Sequence, residues 1–306
     1  MDKMKLKLPN FLIVGAAKSG TTSLHYYLKE HQEIYMPFNK KETFFFAGEK
    51  SNLGMGPGNF GKGIIVNFDD YKKLFQGVIF SKHNAIGEAC VAYLYFYKKS
   101  ISNIIHYLKN PKIIIMLRNP VDRAFSNYLH HVRDGLEQLS FEKALNNQRK
   151  RKEQNWWWGY QFIDVGFYYK QVKAYLDNFD QVKIYLFDDL KKDTLGLVKD
   201  TYKFLGVDPL FTPDVSIKYN VTGIPKNKFI HKFLKEPNIL KDVVKPFVKT
   251  LIPKEKRRKM IEKIKMKNLQ KLQMKPETRE YLKNIYREDI LKLQDLIKRD
   301  LSNWLE

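Results

Sequence analysis

The sequence is poor in cysteine and has no long apolar run. Its single cysteine, Cys90, excludes an internal disulfide framework and is typical of a protein from a reducing compartment. No apolar stretch approaches the roughly 20 residues that a membrane-spanning helix needs. The apolar residues after the basic N-terminus are few and lead directly into a glycine loop, so we interpret them as a core strand and not as a secretory signal. We therefore expect a cytoplasmic protein with no transmembrane segment.

The sequence also has no candidate metal-ligand cluster and has fewer acidic than basic residues. No group of histidine, cysteine or aspartate has the spacing of a metal site, so no metal is expected. The chain has 55 Lys and Arg against 33 Asp and Glu, which gives a formal net charge of +22. Such a charge attracts nucleotides, anionic acceptors, acidic carrier proteins, nucleic acid or membrane surfaces. A solvated lysine-rich surface has the same composition, and no zinc finger or basic zipper is present, so charge alone does not indicate nucleic-acid binding.

Strand-like and helix-like segments alternate along the chain. This order predicts an α/β fold with a mostly parallel sheet flanked by helices. The clearest strand is the apolar run KIIIML at 112–117, which suits a parallel sheet that is covered on both faces. Asn119 and Pro120 follow it and predict the start of a helix, since proline is favoured in the first turn. Residues 1–306 are expected to form a single domain, with 225–306 as a basic helical C-terminal extension packed on or beside it.

The first predicted strand leads into a loop that is suited to a phosphate group. In FLIVGAAKSGTTSLHYYL, residues 11–28, small residues join a buried strand to a helix N-terminus, where backbone N–H groups and hydroxyls can meet an anion. Lys18 precedes Gly20, whereas nucleotide kinases and ATPases have the order G-x-x-x-x-G-K-[ST]. A turn of small residues without a ligand is the alternative interpretation. We call residues 18–23 the phosphate loop.

A second anion-binding pattern follows the strand at 112–117. Arg118 ends this strand, at the edge where open α/β sheets bind their ligands, and Ser126 lies two helical turns further on. An arginine there suits a phosphate because its planar guanidinium bonds two oxygens at once. Taken singly, Arg118 is also compatible with a strand-end salt bridge and Ser126 with an ordinary helix-surface serine. The combination with the phosphate loop favours a binding site.

Together, K-S-G-T-T and R-x-P-x-x-R-x-x-S resemble the motifs of sulfotransferases that use 3′-phosphoadenosine 5′-phosphosulfate (PAPS), in the heparan-sulfate-type and bacterial branch. The resemblance implies a P-loop-like α/β sheet, PAPS as co-substrate, adenosine 3′,5′-bisphosphate (PAP) as product, and no metal. It also implies that Arg118 and Ser126 bind the 3′-phosphate, with Gly223 and Lys226 in a loop over the nucleotide. The 5′ end would be bound by the phosphate loop, which consists of Lys18, Ser19, Gly20, Thr21, Thr22 and Ser23.

The same resemblance implies catalytic and acceptor residues. KKETFFF is similar to the family segment that carries a glutamate base, which points to Glu42, while Lys18 would neutralise charge on the bridging oxygen. Pairing of Glu42 with Lys40 or Lys41 on the surface is the alternative. A glutamate base is typical of this branch, and the histidine context of aryl and steroid sulfotransferases is not found. Tentative acceptor-pocket residues are Glu88, Tyr93, His130, His131 and Trp157. Surface histidines, and a tryptophan in the core or in an oligomer contact, remain open alternatives.

The sequence therefore predicts in-line transfer of a sulfuryl group from PAPS to an acceptor hydroxyl. The acceptor is expected to be a saccharide, a small natural product or a carrier-bound acyl chain, with an anionic group among the options. A nucleotide-dependent small-molecule kinase is an alternative, as is a basic protein that binds nucleic acid or a membrane surface. No nucleic-acid partner is expected. Acceptor identity, oxygen versus nitrogen transfer and oligomeric state are not predicted by the sequence.

Overall fold

The structure is a computed structural model, and it describes residues 8–38, 40–48, 63–217, 223–227, 267–270 and 272–306, together with residues 54, 219 and 264. Most of the glycine-rich segment 51–63, which the sequence predicts as a long loop, lies outside the described residues. All of the basic stretch 228–263 lies outside them as well.

A five-stranded parallel sheet lies at the centre of the fold. Its strand order is β2-β3-β1-β4-β5, and each neighbouring pair runs parallel. This sheet confirms the predicted α/β class. The strands are β1 (Phe11–Gly15), β2 (Ile34–Tyr35), β3 (Ala85–Ala89), β4 (Lys112–Leu117) and β5 (Val182–Leu186).

Helices cover the sheet and the segments between its strands. In the first half of the chain they are α1 (Thr21–Leu28), α2 (Phe68–Lys73), α3 (Ala92–Tyr95), α4 (Tyr97–Leu108), α5 (Pro120–Arg133) and α6 (Phe141–Asn146). In the second half they are α7 (Gln148–Glu153), α8 (Tyr169–Asn178), α9 (Phe187–Lys192), α10 (Thr194–Leu205) and α11 (Pro276–Ile297). Short 3₁₀ turns occur at Phe45–Ala47, Trp158–Tyr160, Asp164–Gly166 and Ser302–Trp304. Among the described residues, no helix combines the length and the apolar character needed to cross a bilayer.

The two faces of the sheet belong to two hydrophobic clusters. Along β4, Ile113 and Ile115 pack into one cluster, whereas Ile114 and Met116 pack into the other. All four side chains are fully buried. An apolar run without polar alternation forms this strand because both of its faces are covered by helices.

Helix α5 begins as its sequence predicts. The side chain of Asn119 accepts a hydrogen bond of 2.9 Å from the backbone N–H of Val121, and Pro120 occupies the first helical position. The cap satisfies one of the N–H groups that a helix start leaves without a partner. Because β4 ends immediately before this cap, α5 starts at the carboxyl edge of the sheet.

The described part of 225–306 is joined to the main core. Helix α11 packs against α5 and α8, and its residues Leu282 and Tyr286 are fully buried, as is Trp304 beyond it. Not all of this region is helical, because β6 (Ile224–Pro225) pairs antiparallel with β7 (Leu269–Gln270). The strand β6 contacts α5. The described C-terminal residues therefore pack on the core that surrounds the sheet.

Candidate active site

The phosphate loop joins β1 to α1 in a conformation that small residues permit. Gly20 has φ of 90° and lies immediately before α1. A Cβ atom there would approach Leu190 Cδ2 at 2.6 Å and Phe187 Cδ2 at 3.1 Å, so glycine fits both the dihedral angle and the space. The helix that follows has no side-chain cap and no acidic residue in its first turn. Its first N–H groups are therefore available to an anion.

The hydroxyls of the loop have different partners. Ser19 is fully buried, and its Oγ has no hydrogen bond of normal geometry within the described part of the chain. Thr22 Oγ1 accepts a hydrogen bond of 3.2 Å from Lys41 Nζ. Ser23 Oγ accepts one of 3.2 Å from the backbone N–H of Tyr219. The loop is thus bonded to Tyr219, four residues before Gly223.

Cationic side chains surround Lys18. Burial lowers the pKa of Lys18 to about 7, and the charges of Arg133 and Arg118 lower it further, while Asp134 opposes them. Arg118 Nη1 donates a hydrogen bond of 3.1 Å to the backbone oxygen of Lys18. Burial also lowers the pKa of Arg118. Several positive charges close to one loop favour the binding of an anion that carries more than one negative charge.

Arg118 and Ser126 line one cavity, as the sequence predicts for a shared anion. The cavity has a volume of about 510 Å³. The guanidinium of Arg118 also lies over the ring of Phe187, with 4.8 Å between its Cζ and the ring centroid. The residues that line the cavity are Arg118, Asp122, Phe125, Ser126, Leu129, Leu272, Gln273, Met274 and Arg279.

Gly223 and Lys226 flank the strand β6. The backbone N–H of Lys226 donates a hydrogen bond of 2.7 Å to the oxygen of Asn268. A Cβ atom at Gly223 would come within 2.9 Å of the oxygen of Gln270, so the pairing with β7 requires a glycine there. The structure brings this ribbon against α5, the helix that carries Ser126.

Glu42 lies beside the first turn of α1. Its Oε1 accepts a hydrogen bond of 2.6 Å from Lys41 Nζ, and its Oε2 accepts one of 2.9 Å from the backbone N–H of Val91. Lys41 also bonds Thr22 of the phosphate loop. About 30% of the Glu42 side chain is exposed, so a substrate can reach the carboxylate. The carboxylate predicted as the base is thus held next to the loop predicted to hold the 5′-phosphosulfate.

Glu88 and Tyr93 lie in a fully buried cluster. The carboxylate of Glu88 accepts hydrogen bonds from the hydroxyls of Tyr71, at 2.5 Å, Tyr93, at 2.6 Å, and Thr43. Burial raises the pKa of Glu88 to about 7, although these hydroxyl groups partly oppose the shift. Thr43 follows Glu42 directly in the chain. Glu88 therefore packs behind the segment that carries Glu42, out of contact with solvent.

The two histidines of α5 differ in environment. The His130 side chain is about 31% exposed, and its Nε2 lies 3.9 Å from Asp134 Oδ2. His131 is buried, and this burial lowers its pKa to about 4, so the ring is neutral at physiological pH. Its ring packs edge-on against Tyr160, with centroids 4.5 Å apart. His131 is therefore suited to packing and cannot act as a cation at neutral pH.

Trp157 connects the tryptophan-rich segment to the Glu42 side of the loop. Its ring is buried and packs edge-on against Phe44, with centroids 5.4 Å apart. Phe44 lies two residues after Glu42 and has a positive φ of 61°. The structure thus brings Trp157 near the segment predicted to face the acceptor.

Sequence reasoning missed two arginines and one aspartate around the loop and cavity. Arg133 lies seven residues after Ser126 on α5, a spacing of two helical turns that could have placed both on one face. From the sequence, Lys41 is considered only as a partner of Glu42, and its hydrogen bond to Thr22 of the phosphate loop is not predicted. Asp122 and Arg279 line the cavity. No local pattern predicts Arg279, because its position depends on how α11 packs against α5.

Comparisons with known proteins agree with this geometry. The sulfotransferase domain family matches residues 99–295. Among solved structures, a sulfotransferase from Alicyclobacillus acidocaldarius is 36% identical, with coverage of 98% of this chain and 100% of that chain and a TM-score of 0.75.

Two curated relatives are similar over parts of the chain. The membrane-associated sulfotransferase kil1 of Dictyostelium discoideum is 36% identical over 123 residues, which are 40% of this chain and 23% of that protein. The bifunctional heparan sulfate N-deacetylase/N-sulfotransferase 2 of Bos taurus is 26% identical over 229 residues, which are 70% of this chain and 24% of that protein. The chain thus spans about a quarter of the length of these two relatives.

Proposed function

We propose that this chain, which belongs to the sulfotransferase family, transfers the sulfuryl group of PAPS to an acceptor hydroxyl and releases PAP. One observation carries the proposal: two candidate anion sites, the phosphate loop and the cavity lined by Arg118 and Ser126, follow the adjacent parallel strands β1 and β4 at the same sheet edge. Arg118 joins them, because it lines the cavity with Ser126 and donates to the backbone of Lys18. PAPS has phosphate groups at both the 5′ and the 3′ position of one nucleoside, which matches two sites.

The residues present fit such a co-substrate. The phosphate loop, residues 18–23, would bind the 5′-phosphosulfate through helix N–H groups and the buried hydroxyl of Ser19. Arg118 and Ser126 would bind the 3′-phosphate. Gly223 and Lys226 would lie over the nucleotide with β6. A multiply charged anion would also relieve the mutual repulsion among Lys18, Arg118 and Arg133.

Sulfuryl transfer places two demands on this site. The acceptor oxygen bonds to sulfur as the bond between sulfur and the bridging oxygen breaks, and the electron pair of that bond remains on the 5′-phosphate of PAP. Lys18, when protonated, would stabilise the negative charge on that departing oxygen. The proposal requires no metal, because the protein's own cations and helix N-terminus supply the positive charge.

The acceptor hydroxyl must lose a proton as it attacks. Glu42 would take this proton as a general base, since its carboxylate is accessible and is held by Val91 and Lys41 beside the first turn of α1. Lys41 would orient the carboxylate. Glu88 cannot meet an acceptor in this arrangement, because its side chain is fully buried among hydroxyls. We therefore assign the base to Glu42.

The acceptor is proposed to be a saccharide, a small natural product or a carrier-bound chain. The similarity to a heparan sulfate N-sulfotransferase favours a saccharide, and it also admits an amine as the acceptor group. Phe44, which is partly exposed and packs on the buried Trp157, provides an aromatic surface on the Glu42 side, which suits sugar rings and apolar chains. His130 is proposed to face the acceptor, since its side chain is partly exposed. Tyr93 is proposed to support the segment that carries Glu42, through its contact with Thr43. The single cysteine suits a cytoplasmic location.

Ligand-induced stabilisation tests the proposal without knowledge of the acceptor. The melting temperature would be measured with PAP, with adenosine 5′-phosphate and with ATP, each in EDTA and in magnesium. We expect PAP to stabilise the protein most, and without magnesium, because a ligand that binds only the native state raises its apparent stability. Equal stabilisation by PAP and adenosine 5′-phosphate would contradict the assignment of Arg118 and Ser126. A preference for ATP with magnesium would favour a kinase instead.

A further inference from the structure

We propose that Arg279, in the first turn of α11, is a further co-substrate residue that selects for the 3′-phosphate together with Arg118 and offsets the charge of Asp122. The inference rests on the proposed function, because it concerns the same cavity. It adds a binding role for the C-terminal helix, which the sequence motifs do not indicate.

The composition of the cavity is the first argument. Arg118, Ser126 and Arg279 line one cavity of about 510 Å³, and most of its other lining side chains are apolar. Small-ligand sites have this character, with a few polar groups among apolar walls. The apolar lining residues are Phe125, Leu129, Leu272 and Met274.

The charges of the cavity are the second argument. Asp122 contributes a carboxylate to the wall, which repels a phosphate. With Arg118 alone, the charged side chains of the wall would sum to zero, whereas Arg279 makes the sum positive. A phosphate monoester carries nearly two negative charges near neutral pH. Arg279 is therefore the side chain that makes this wall attractive to a 3′-phosphate.

The geometry of Arg279 allows it to offset the charge of Asp122 and to contact a 3′-phosphate as well. Its Nη2 donates a hydrogen bond of 2.7 Å to Asp122 Oδ1, and this bond uses one of the five guanidinium donors. The side chains of Arg279 and Asp122 are 41% and 39% exposed, so a ligand can reach them. The preceding residue, Thr278, is buried and donates a hydrogen bond of 3.0 Å to Glu142 of α6. The backbone that presents Arg279 is thereby fixed.

An exposed ion pair that only joins α11 to α5 is the competing explanation. Such pairs contribute little to stability, and a purely structural pair would not distinguish one nucleotide from another. The preference for PAP over adenosine 5′-phosphate separates the two explanations, because these ligands differ only in the 3′-phosphate.

The test measures dissociation constants of PAP and of adenosine 5′-phosphate by titration calorimetry for Arg279→Ala. We expect PAP binding to weaken about 10- to 100-fold, the usual effect of losing hydrogen bonds to a charged group. Binding of adenosine 5′-phosphate should change much less. Arg279→Lys should keep part of the preference, since it keeps the charge and loses the planar fork. Arg287→Ala is the matched control, because Arg287 is an exposed arginine of the same helix, and it should bind both ligands as the wild type does.

A double-mutant cycle with Asp122→Asn separates direct contact from charge compensation. Asp122→Asn alone should strengthen PAP binding, because it removes a repulsive carboxylate. In that background, Arg279→Ala should still weaken PAP binding; no further weakening would overturn a direct contact with the phosphate. An unchanged ratio of PAP to adenosine 5′-phosphate binding in Arg279→Ala would overturn the inference altogether. If the wild type shows no preference for PAP, the proposed function itself fails and the inference fails with it.

Discussion

Two glutamates of the candidate site have opposite environments although they belong to neighbouring segments. Glu42 is partly exposed and bonded to a lysine and a backbone N–H. Glu88 is fully buried and bonded to three hydroxyls. The cluster around Glu88 fixes Thr43, the residue after Glu42. One carboxylate is thus open to a substrate, as the proposed base must be, while the other is bonded to the residue that follows the first.

Glu42→Gln tests the proposed base. The amide keeps the size of the side chain, and its single oxygen can still accept one of the two hydrogen bonds that Glu42 accepts, but it cannot take the acceptor proton. We expect turnover, measured with labelled PAPS on an acceptor found by library screening, to fall by about 10²–10⁴. PAP binding and the melting temperature should stay close to those of the wild type. Near-normal turnover would move the base to another group, with His130 the next to test.

Glu88→Gln tests the buried carboxylate through the pH dependence of stability. The pKa of Glu88 is raised from its ordinary value of 4.5 to about 7 in the folded chain. The folded state therefore binds more protons than the unfolded state between these values, and the Glu88 contribution to stability falls as pH rises through this window. We expect the difference in unfolding free energy between the wild type and Glu88→Gln to fall from pH 4.5 to 7 in urea titrations. A difference that does not vary with pH would show that Glu88 does not titrate there.

Lys18 predicts a pH dependence of PAP binding. Its pKa is about 7 in the free protein, and a bound anion raises it, so binding above pH 7 requires uptake of a proton. We expect the affinity for PAP to decrease with rising pH above about 7. Calorimetry in buffers of different ionisation enthalpy measures the proton uptake directly. Lys18→Arg keeps its charge over this range, so its PAP affinity should show a flatter profile; an equally steep profile would assign the effect to another group.

At the scale of elements, α5 links the two halves of the candidate site. It begins directly after Arg118, carries Ser126 in its second turn, and ends at Arg133 beside Lys18. The start of α5 and the strand β4 before it could be predicted from the sequence, because an apolar run, a cap and a proline are local signals. The cavity next to α5 could not be predicted, because the contact between Asp122 and Arg279 in its wall joins residues 157 positions apart. Two-residue strands such as β2 are likewise too short to show a periodic pattern.

Removing the cap of α5 should affect stability and binding together. Asn119→Ala loses the hydrogen bond to Val121 and one to the backbone oxygen of Trp304, and we expect a loss of about 0.5–2 kcal/mol in unfolding free energy. PAP binding should also weaken, because α5 positions Ser126. Ser140→Ala is the control, since it removes the cap of α6 in the same way. Equal effects of both variants on PAP binding would argue against a special role of α5.

At the scale of the whole molecule, the charge and the core lead to different expectations for the C-terminal residues. From residue 224 onward, basic residues outnumber acidic ones about two to one, which suggests a solvated extension. In the structure, however, every third or fourth residue of α11 is buried: Thr278, Leu282, Tyr286, Ile290 and Leu293. The amino-acid composition of this region does not show the apolar stripe, because basic side chains are so numerous in it. The periodicity was present in the sequence, but the surface that it covers, on α5 and α8, is a tertiary feature.

Trp304→Ala tests whether the C-terminus belongs to the core. Trp304 is about 1% exposed and packs near Tyr168 in the cluster that also contains β1 and β4 residues. We expect a loss of about 3–5 kcal/mol in unfolding free energy, the usual effect of truncating a buried tryptophan. Urea titration followed by circular dichroism measures it. The control is Tyr281→Ala, which removes an exposed aromatic ring of α11 and should change stability by less than about 0.5 kcal/mol.

The same pair of variants distinguishes an integral element from an appendage. If the C-terminal residues formed a separate layer on a domain that folds without them, Trp304→Ala would lower a minor transition and leave the main one in place. A core element instead shifts one cooperative transition as a whole, because the sheet and the helix unfold together. Helix α11 also contributes Arg279 to the cavity. We therefore expect PAP to raise the midpoint of that single transition in both variants, and two separate transitions in Trp304→Ala would contradict a single domain.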